Sequence, residues 1–370
     1  MANTPQSDAQ HVVILGAGLM GRLLACQLAL AGHRVQIFDA GGPGAEHTAA
    51  RAAAAMLAPL AESAVTEAAV VQMGMHGLRR WPELLAQLAN PVYFQQAGSL
   101  VLWHRQDAAE AALFSRQLQA TCQGIPHLPK PQALDAQGLA ALEPTLDVRF
   151  TQGIYLPGEG QLDNHQLLHA LLQQLLALGV EQHWHSPRSP QEFSPGHKVA
   201  GQPDWVFDCR GLGARAQWAA VRGVRGEIIT LHAPEVQLSR PIRLMHPRYP
   251  LYIAPKQDGI FLIGATQIET DDNSAVSVRS ALELLSAAYT VDTGFAEARI
   301  LDLVSQCRPA LPDNLPSVRW LGERTLQING LYRHGYLVAP AMLDVVMQMF
   351  QTRSSALAAT FPLKIETALD

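Results

Sequence analysis

"VVILGAGLMGRLLACQLALAGHRVQIFDA", residues Val12 to Ala40, decides the fold. Val12-Val13-Ile14-Leu15 is an unbroken apolar run, the pattern of a strand covered on both faces. It stops at Gly16-Ala17-Gly18, where a tight turn calls for residues without Cβ. A helix is predicted next, and Gly16, Gly18 and Gly21 give the G-x-G-x-x-G spacing. The first glycine makes the turn, the second lets a pyrophosphate approach the backbone, and the third lets helix and strand pack closely. The helix's N–H end would carry the pyrophosphate charge. A second apolar strand, Val35 to Phe38, ends on Asp39. A carboxylate at that point accepts both ribose hydroxyls of an adenosine half and repels a 2′-phosphate. Strand, glycines, helix and acid together predict a βαβ dinucleotide site, with NAD and FAD both open.

The chain has 370 residues, 48% hydrophobic and 16% charged, enough for two packed lobes. A net charge of −5 gives no electrostatic case for nucleic acid as a partner. Cys26, Cys122, Cys209 and Cys307 are scattered without C-x-x-C spacing, which fits unpaired thiols in a reducing compartment better than disulfides or a zinc site. The start, Met1 to Pro5, is polar, and the strand after it is broken too soon by glycine to be a signal-peptide core. No apolar stretch reaches transmembrane length. A cytoplasmic protein is expected.

Texture divides the chain further. Residues 10–90, 146–222 and 305–360 read as α/β dinucleotide-domain material. Within them lie helical spacing from Leu162 to Leu178, a strand Trp205-Val206-Phe207 running into Asp208 to Gly211, and a C-terminal segment from Leu331 to Phe350. That last segment predicts a short strand, a turn at Gly335 and a helix starting near Pro340, since proline is well tolerated in a first turn. Residues 91–145 and 223–304 read as mostly β with helical insertions near Asp107 to Thr121 and Val278 to Tyr289. The fold class expected is mixed α/β, a Rossmann-like domain interleaved with an antiparallel-sheet domain.

Several motifs occur in a fixed order: "TAARAAAAMLAP" after the glycine turn, "GSLVL", "LEP", "GEGQLDNHQLLHAL", "DCRGLGA", "GVRGE", "LYIAPK", "FLIGAT", "CRPALPD" and "LYRHGYLVAP". In this order the chain resembles FAD-dependent amino-acid oxidases, above all glycine oxidases of the thiamine-biosynthesis type, relatives of D-amino-acid oxidase and sarcosine oxidase. The resemblance implies FAD as cofactor, a small amino-acid substrate and oxygen as partners, and a homo-oligomer. It assigns the interleaved domains to FAD (10–90, 146–222, 305–360) and to substrate (91–145, 223–304).

Arg308 is the residue most expected to act. An arginine amid Val304, Cys307, Pro309, Ala310 and Leu311 is costly to bury without an anion, and a guanidinium matches a carboxylate bidentately. The resemblance places the substrate carboxylate on it, with a hydroxyl from Tyr252 and a second arginine, Arg333. A structural salt bridge at Arg308, a surface hydroxyl at Tyr252 and a loop-securing role for Arg333 are the alternatives. Cofactor contacts are expected from Gly16, Gly18, Gly21, Asp39, Ala55, Met56, Gly211, Gly335, Tyr336 and Leu337, with the positive end of the C-terminal helix beside the flavin. Ala55 stands where relatives often carry glycine. Gln267 replaces an apolar pocket residue, which argues against strict glycine preference. Cys307 is read as a buried free thiol rather than a covalent flavin link. "HWH" at His183 to His185 is not read as a metal site, and no metal is expected.

The function expected is oxidative deamination of glycine or another small amino acid: hydride passes from Cα to flavin N5, giving imine and, with oxygen, hydrogen peroxide. The imine would feed the thiazole branch of thiamine synthesis. The alternatives are a D-amino-acid or amine dehydrogenase serving a quinone or carrier, and a dinucleotide-binding redox protein without turnover.

Overall fold

The opening strand forms as predicted, over His11–Leu15, and is hydrogen-bonded on both sides to parallel neighbours, Arg34–Phe38 and Trp205–Asp208. Parallel neighbours need a crossover, and the helix Leu19–Leu30 supplies it between the first two. The computed structural model describes residues 9–194, 201–245 and 251–368, so the polar start of the chain lies outside it. Among the described residues this sheet has seven strands, in the order Lys364–Thr367, Ser317–Gly322, Thr325–Asn329, Trp205–Asp208, His11–Leu15, Arg34–Phe38 and Glu181–His183. Only the pairing of Ser317–Gly322 with Thr325–Asn329 is antiparallel.

A second sheet has eight strands, in the order Arg299–Ala310, Arg222–His232, Ile260–Gly264, Leu251–Pro255, Ile242–Leu244, Ser99–Leu102, Gln152–Leu156 and Gln132–Asp135. It is antiparallel except where Ile242–Leu244 meets Ser99–Leu102. Successive side chains go to opposite faces. Leu100, Leu102, Ile229, Ile253 and Ile263 pack with Leu284, Ala288 and Val291 of the helix Val278–Val291. The alternate residues Val101, Ile154 and Tyr252 pack with Phe114 and Leu118 of the helix Ala108–Gly124, and Ile228, Ala254 and Leu262 meet Ala54 and Met56. Ile228 and Tyr252 of this second face line a cavity that also reaches Gly16 and Gly18. A small third sheet, Met56–Leu57, Gly160–Leu162 and Phe94–Gln95, bridges the two. Gln152–Leu156, inside the expected 146–222 segment, pairs into the second sheet, and Arg299–Ala310 runs across the expected boundary at residue 305, so the sheets do not follow the boundaries expected from texture at these two places.

The fold class is therefore the expected one, mixed α/β with a parallel sheet beside an antiparallel one, but the C-terminal segment differs from expectation. Its strand ends at Asn329, Tyr332–His334 forms one tight helical turn, and the helix spans Gly335–Thr352. Pro340 lies inside that helix instead of at its start. Proline has no N–H, so the Tyr336 carbonyl loses its helical partner. The indole N–H of Trp81, in the helix Ala68–Leu85, donates to that oxygen at 2.9 Å. A side chain from a neighbouring helix thus replaces the missing backbone bond, which no local pattern could show.

Trp81 is fully buried. Trp81→Phe is expected to strand the Tyr336 carbonyl and lower unfolding stability by about 1–3 kcal/mol beyond its loss of packing. Adding Pro340→Ala, which restores an N–H four residues on, is expected to recover part of that loss. Urea unfolding of both variants checks this, and no recovery in the double variant would mean the carbonyl is not the cause.

Candidate active site

One cavity of about 620 Å³ runs between the sheets, from the glycine turn to Arg308. At the first end, Gly16 has φ +93°, and a Cβ there would meet the Cys209 carbonyl oxygen at 2.7 Å. A Cβ at Gly21 would collide with the Gly16 carbonyl, so helix and strand touch through it. Gly18 instead faces space: the nearest heavy atom to a Cβ would be Thr48 Cγ2, at 4.0 Å. The helix Leu19–Leu30 begins there with no side-chain cap, leaving its first N–H groups toward the cavity. Asp39 accepts the Ala17 N–H at 2.5 Å and the Gly41 N–H at 2.7 Å. A carboxylate has about four lone-pair sites, so Asp39 retains capacity for hydroxyls. Turn, open glycine, uncapped helix end and acid fit an adenosine diphosphate. Arg22, unremarked in the sequence, is buried and donates to the carbonyls of Ala17, Leu168 and Pro43, fixing the turn against its surroundings.

The middle of the cavity is walled by Ala55, Met56, Gly211, Gly335, Tyr336 and Leu337. Ala55 sits at φ +51°, a conformation in which glycine is at ease, consistent with the expected glycine preference there. Tyr336 donates to the Ala50 carbonyl at 2.9 Å, and Lys256 donates to the Ala54 and Leu162 carbonyls and to Gln161 Oε1, so the alanine-rich loop is held from two sides. The helix Gly335–Thr352 also starts without a side-chain cap, with its first three residues on the cavity. Its positive end faces the cavity.

At the far end, Arg308 Nη1 donates to the Thr266 carbonyl at 3.1 Å and makes a longer bond to the Arg225 carbonyl. Among the described residues no carboxylate pairs with it. Its guanidinium lies over Gly226 of the neighbouring strand, where any Cβ would overlap it. The second glycine of "GVRGE" is thereby explained. Burial, and then the nearby Arg333, lower Arg308 to about 10, the behaviour of a cation waiting for an anion.

Tyr252 and Arg333 reach the same cavity but meet a residue that the sequence did not single out. Glu62, buried at the end of the short helix Pro59–Glu62, accepts the Tyr252 hydroxyl at 2.5 Å and Arg333 Nη2 at 2.9 Å. Burial alone would raise its carboxyl, but Arg333, His334, Arg243 and the Tyr252 bond hold it at about 2. Gln267, exposed at the edge of the cavity, accepts from Arg333 Nη1 at 3.1 Å. Burial lowers His334 to about 4, so its ring is neutral. Cys307 is buried, its thiol directed to the Asp272 carbonyl at 3.5 Å, and burial raises it, which weakens it as a nucleophile.

Glu62 is held in turn by Glu159. This buried carboxyl accepts the N–H groups of Leu60 and Ala61 at 2.7 and 2.8 Å, and it binds the Ser99 hydroxyl. Burial pushes it up to about 7 in spite of those donors, with repulsion from Glu62 adding to the effect.

A glycine turn, an acid closing the second strand and a cavity continuing to a guanidinium without an acidic partner among the described residues suit a dinucleotide-dependent oxidoreductase. Comparison with known proteins gives the rest. The family model for "FAD dependent oxidoreductase" matches residues 11–348, and the chain belongs to that family; it is an enzyme and its cofactor is FAD. A Rhizobium etli protein named for a thiamine biosynthesis oxidoreductase, ThiO, is 38% identical over 92% of this chain and 97% of its own length. Glycine oxidase of Geobacillus kaustophilus is 26% identical over 93% and 94% of the two chains. Its crystal structure superposes with a TM-score of 0.80 over 97% of this chain and 99% of that one. Iminodiacetate oxidase from Chelativorans sp. BNC1, 21% identical, shares the fold with a TM-score of 0.79 over 96% of this chain and 99% of that one. Among the described residues no helix is long and apolar enough to cross a membrane.

The raised Glu159 carboxyl makes stability depend on pH. Between its ordinary value of 4.5 and about 7 the folded chain keeps a proton that the unfolded chain has released, so stability falls as pH rises through that window. Glu159→Gln keeps an oxygen acceptor and does not ionise. Its urea midpoint is expected to change less than the wild type's between about pH 5 and about pH 8. Equal changes would show that Glu159 ionises normally.

Proposed function

We propose that the chain oxidises glycine or a comparably small amino acid, with a place in the thiazole branch of thiamine synthesis. The observation that carries this reading is Arg308, a buried guanidinium without an acidic partner among the described residues, at the end of a cavity whose other end fits a nucleotide. The similarity to a ThiO and to glycine oxidases supports it. FAD, when bound, supplies the two-electron acceptor for the Cα hydride, with oxygen taking the electrons onward to hydrogen peroxide and the imine left to hydrolyse or be handed on.

In this reading, Gly16, Gly18, Gly21 and Asp39 hold the adenosine diphosphate, and Ala55, Met56, Gly211, Gly335, Tyr336 and Leu337 line the flavin's place. Arg308 binds the substrate carboxylate. Tyr252 and Arg333 complete that end of the site, and Gln267 shapes its edge. The protein's contribution is position and charge, because the chemistry belongs to the cofactor. Residues 10–90, 146–222 and 305–360 serve FAD, and residues 91–145 and 223–304 serve the substrate, apart from the strand Gln152–Leu156 and the run of Arg299–Ala310 past residue 305, which belong to the second sheet. A homo-oligomer would cover the exposed Ile300, Leu301 and Leu303 of the edge strand together with Val278 and Leu282 of the neighbouring helix.

Anaerobic addition of glycine to the yellow holoenzyme is expected to bleach its visible absorbance, and admitted oxygen to restore it with peroxide formed. Bleaching without reoxidation by oxygen would make the enzyme a dehydrogenase. Arg308→Ala is expected to retain flavin and lose about 2–5 kcal/mol of glycine binding; an unchanged affinity would remove the assignment. Because the substrate ammonium must shed a proton before hydride leaves, turnover should rise from neutral to alkaline pH. A flat profile would count against hydride transfer from a neutral amine.

A further inference from the structure

The ammonium of Lys256, just past the strand Leu251–Pro255, is buried and has three protons to place. All three go to neutral oxygens. Nζ donates to the Ala54 carbonyl at 3.0 Å, to the Leu162 carbonyl at 2.8 Å and to Gln161 Oε1 at 2.9 Å. These oxygens only accept, so the arrangement needs the charged form of the lysine, the one with three N–H groups. The Gln161 amide cannot turn to answer a neutral amine. Its Nε2 already donates to the Pro255 carbonyl at 2.7 Å and to Gln95 Oε1 at 2.9 Å. A neutral Lys256 has two N–H groups and leaves one buried oxygen without a donor.

Ala54 is part of the cavity wall, and its carbonyl lies in the peptide that leads into Ala55 at φ +51°. Other donors hold the same loop: Tyr336 and Asn164 at the Ala50 carbonyl, Asn164 and the exposed His165 at the Arg51 carbonyl, and the Leu162 N–H at the Ala55 carbonyl. Of these donors Lys256 is the buried cation. Burial lowers it to about 7, and the charge of Asp163, which caps the helix Asn164–Ala177, opposes that fall. Tyr93, beside Gln161, is raised by burial and stays protonated over the same range.

We propose that Lys256 positions residues 53–56 for FAD only while it carries its third proton, so that cofactor affinity falls as pH rises past neutrality. The sign follows from the hydrogen-bond count. The protonated lysine holds all three oxygens and the neutral one holds two, so the form that binds FAD better is the form with more protons, and affinity is full at acid pH and lost toward alkaline pH. The link is to the cofactor and is independent of which amine the enzyme oxidises.

The test dilutes holoenzyme and reads released flavin by its fluorescence, giving FAD affinity between about pH 6 and about pH 8.5. Wild-type affinity is expected to fall about tenfold across that range. Lys256→Arg keeps a charge throughout, and its affinity is expected to change less than about twofold. Lys256→Met is expected to bind FAD about tenfold or more weakly at the acid end, again without the fall; if it does not fold, the arginine variant carries the comparison. His165→Gln removes the titratable donor at the Arg51 carbonyl and is expected to keep the wild-type fall. A wild-type affinity that stays level would overturn the proposal, as would an equal fall in Lys256→Arg. Loss of the fall in His165→Gln would assign it to the histidine instead.

Discussion

A carboxylate taken out of water must be met by hydrogen bonds and positive charge, and Glu62 meets that demand with hydrogen bonds from two distant parts of the chain. It sits on a four-residue helix. Tyr252 comes from the second sheet, and Arg333 comes from the turn between the first sheet and its last long helix. The short helix is tied down behind it by Glu159, which is anchored to Ser99 of the second sheet. The two sheets are therefore joined through charge and hydrogen bonds at the wall of the cavity. Apolar clusters hold each sheet to its helices and also join the second sheet to Ala54, Met56 and Leu60, and the polar junction adds to these contacts.

The parts of the fold legible in the sequence were those set by neighbours along the chain. Val12 to Asp39 carries its strand, turn, helix and second strand in local pattern, and all four formed. The helix Asn164–Ala177 was visible from its leucine spacing, and the Asp163 side chain caps it. The start of the last helix was misplaced because Pro340 reads locally as a first-turn residue. Its tolerance inside the helix comes from Trp81, 255 positions away from the carbonyl it serves. Strand membership failed locally for a similar reason. Gln152–Leu156 has no pattern that says which sheet it will join, since pairing with Ser99–Leu102 is a long-range choice.

At the site, Arg308 stood out because a cation in an apolar strand is anomalous by itself. Glu62 did not. In "LAES" it looks like an ordinary helical surface acid, and its partners lie 190 and 271 positions further on. The available signal was its setting, an acid close behind Met56, Leu57, Pro59 and Leu60, all of which turn inward. Arg22 and Lys256 belong to the same kind: buried cations answered by carbonyls, with no sequence neighbour to announce them.

The guanidinium of Arg308 rests on bare backbone at Gly226, so the floor of the site is a strand without a side chain. That makes residue 226 a depth stop. Any side chain introduced there would have to displace the guanidinium. The position of the buried guanidinium is thus set by an atom that is missing.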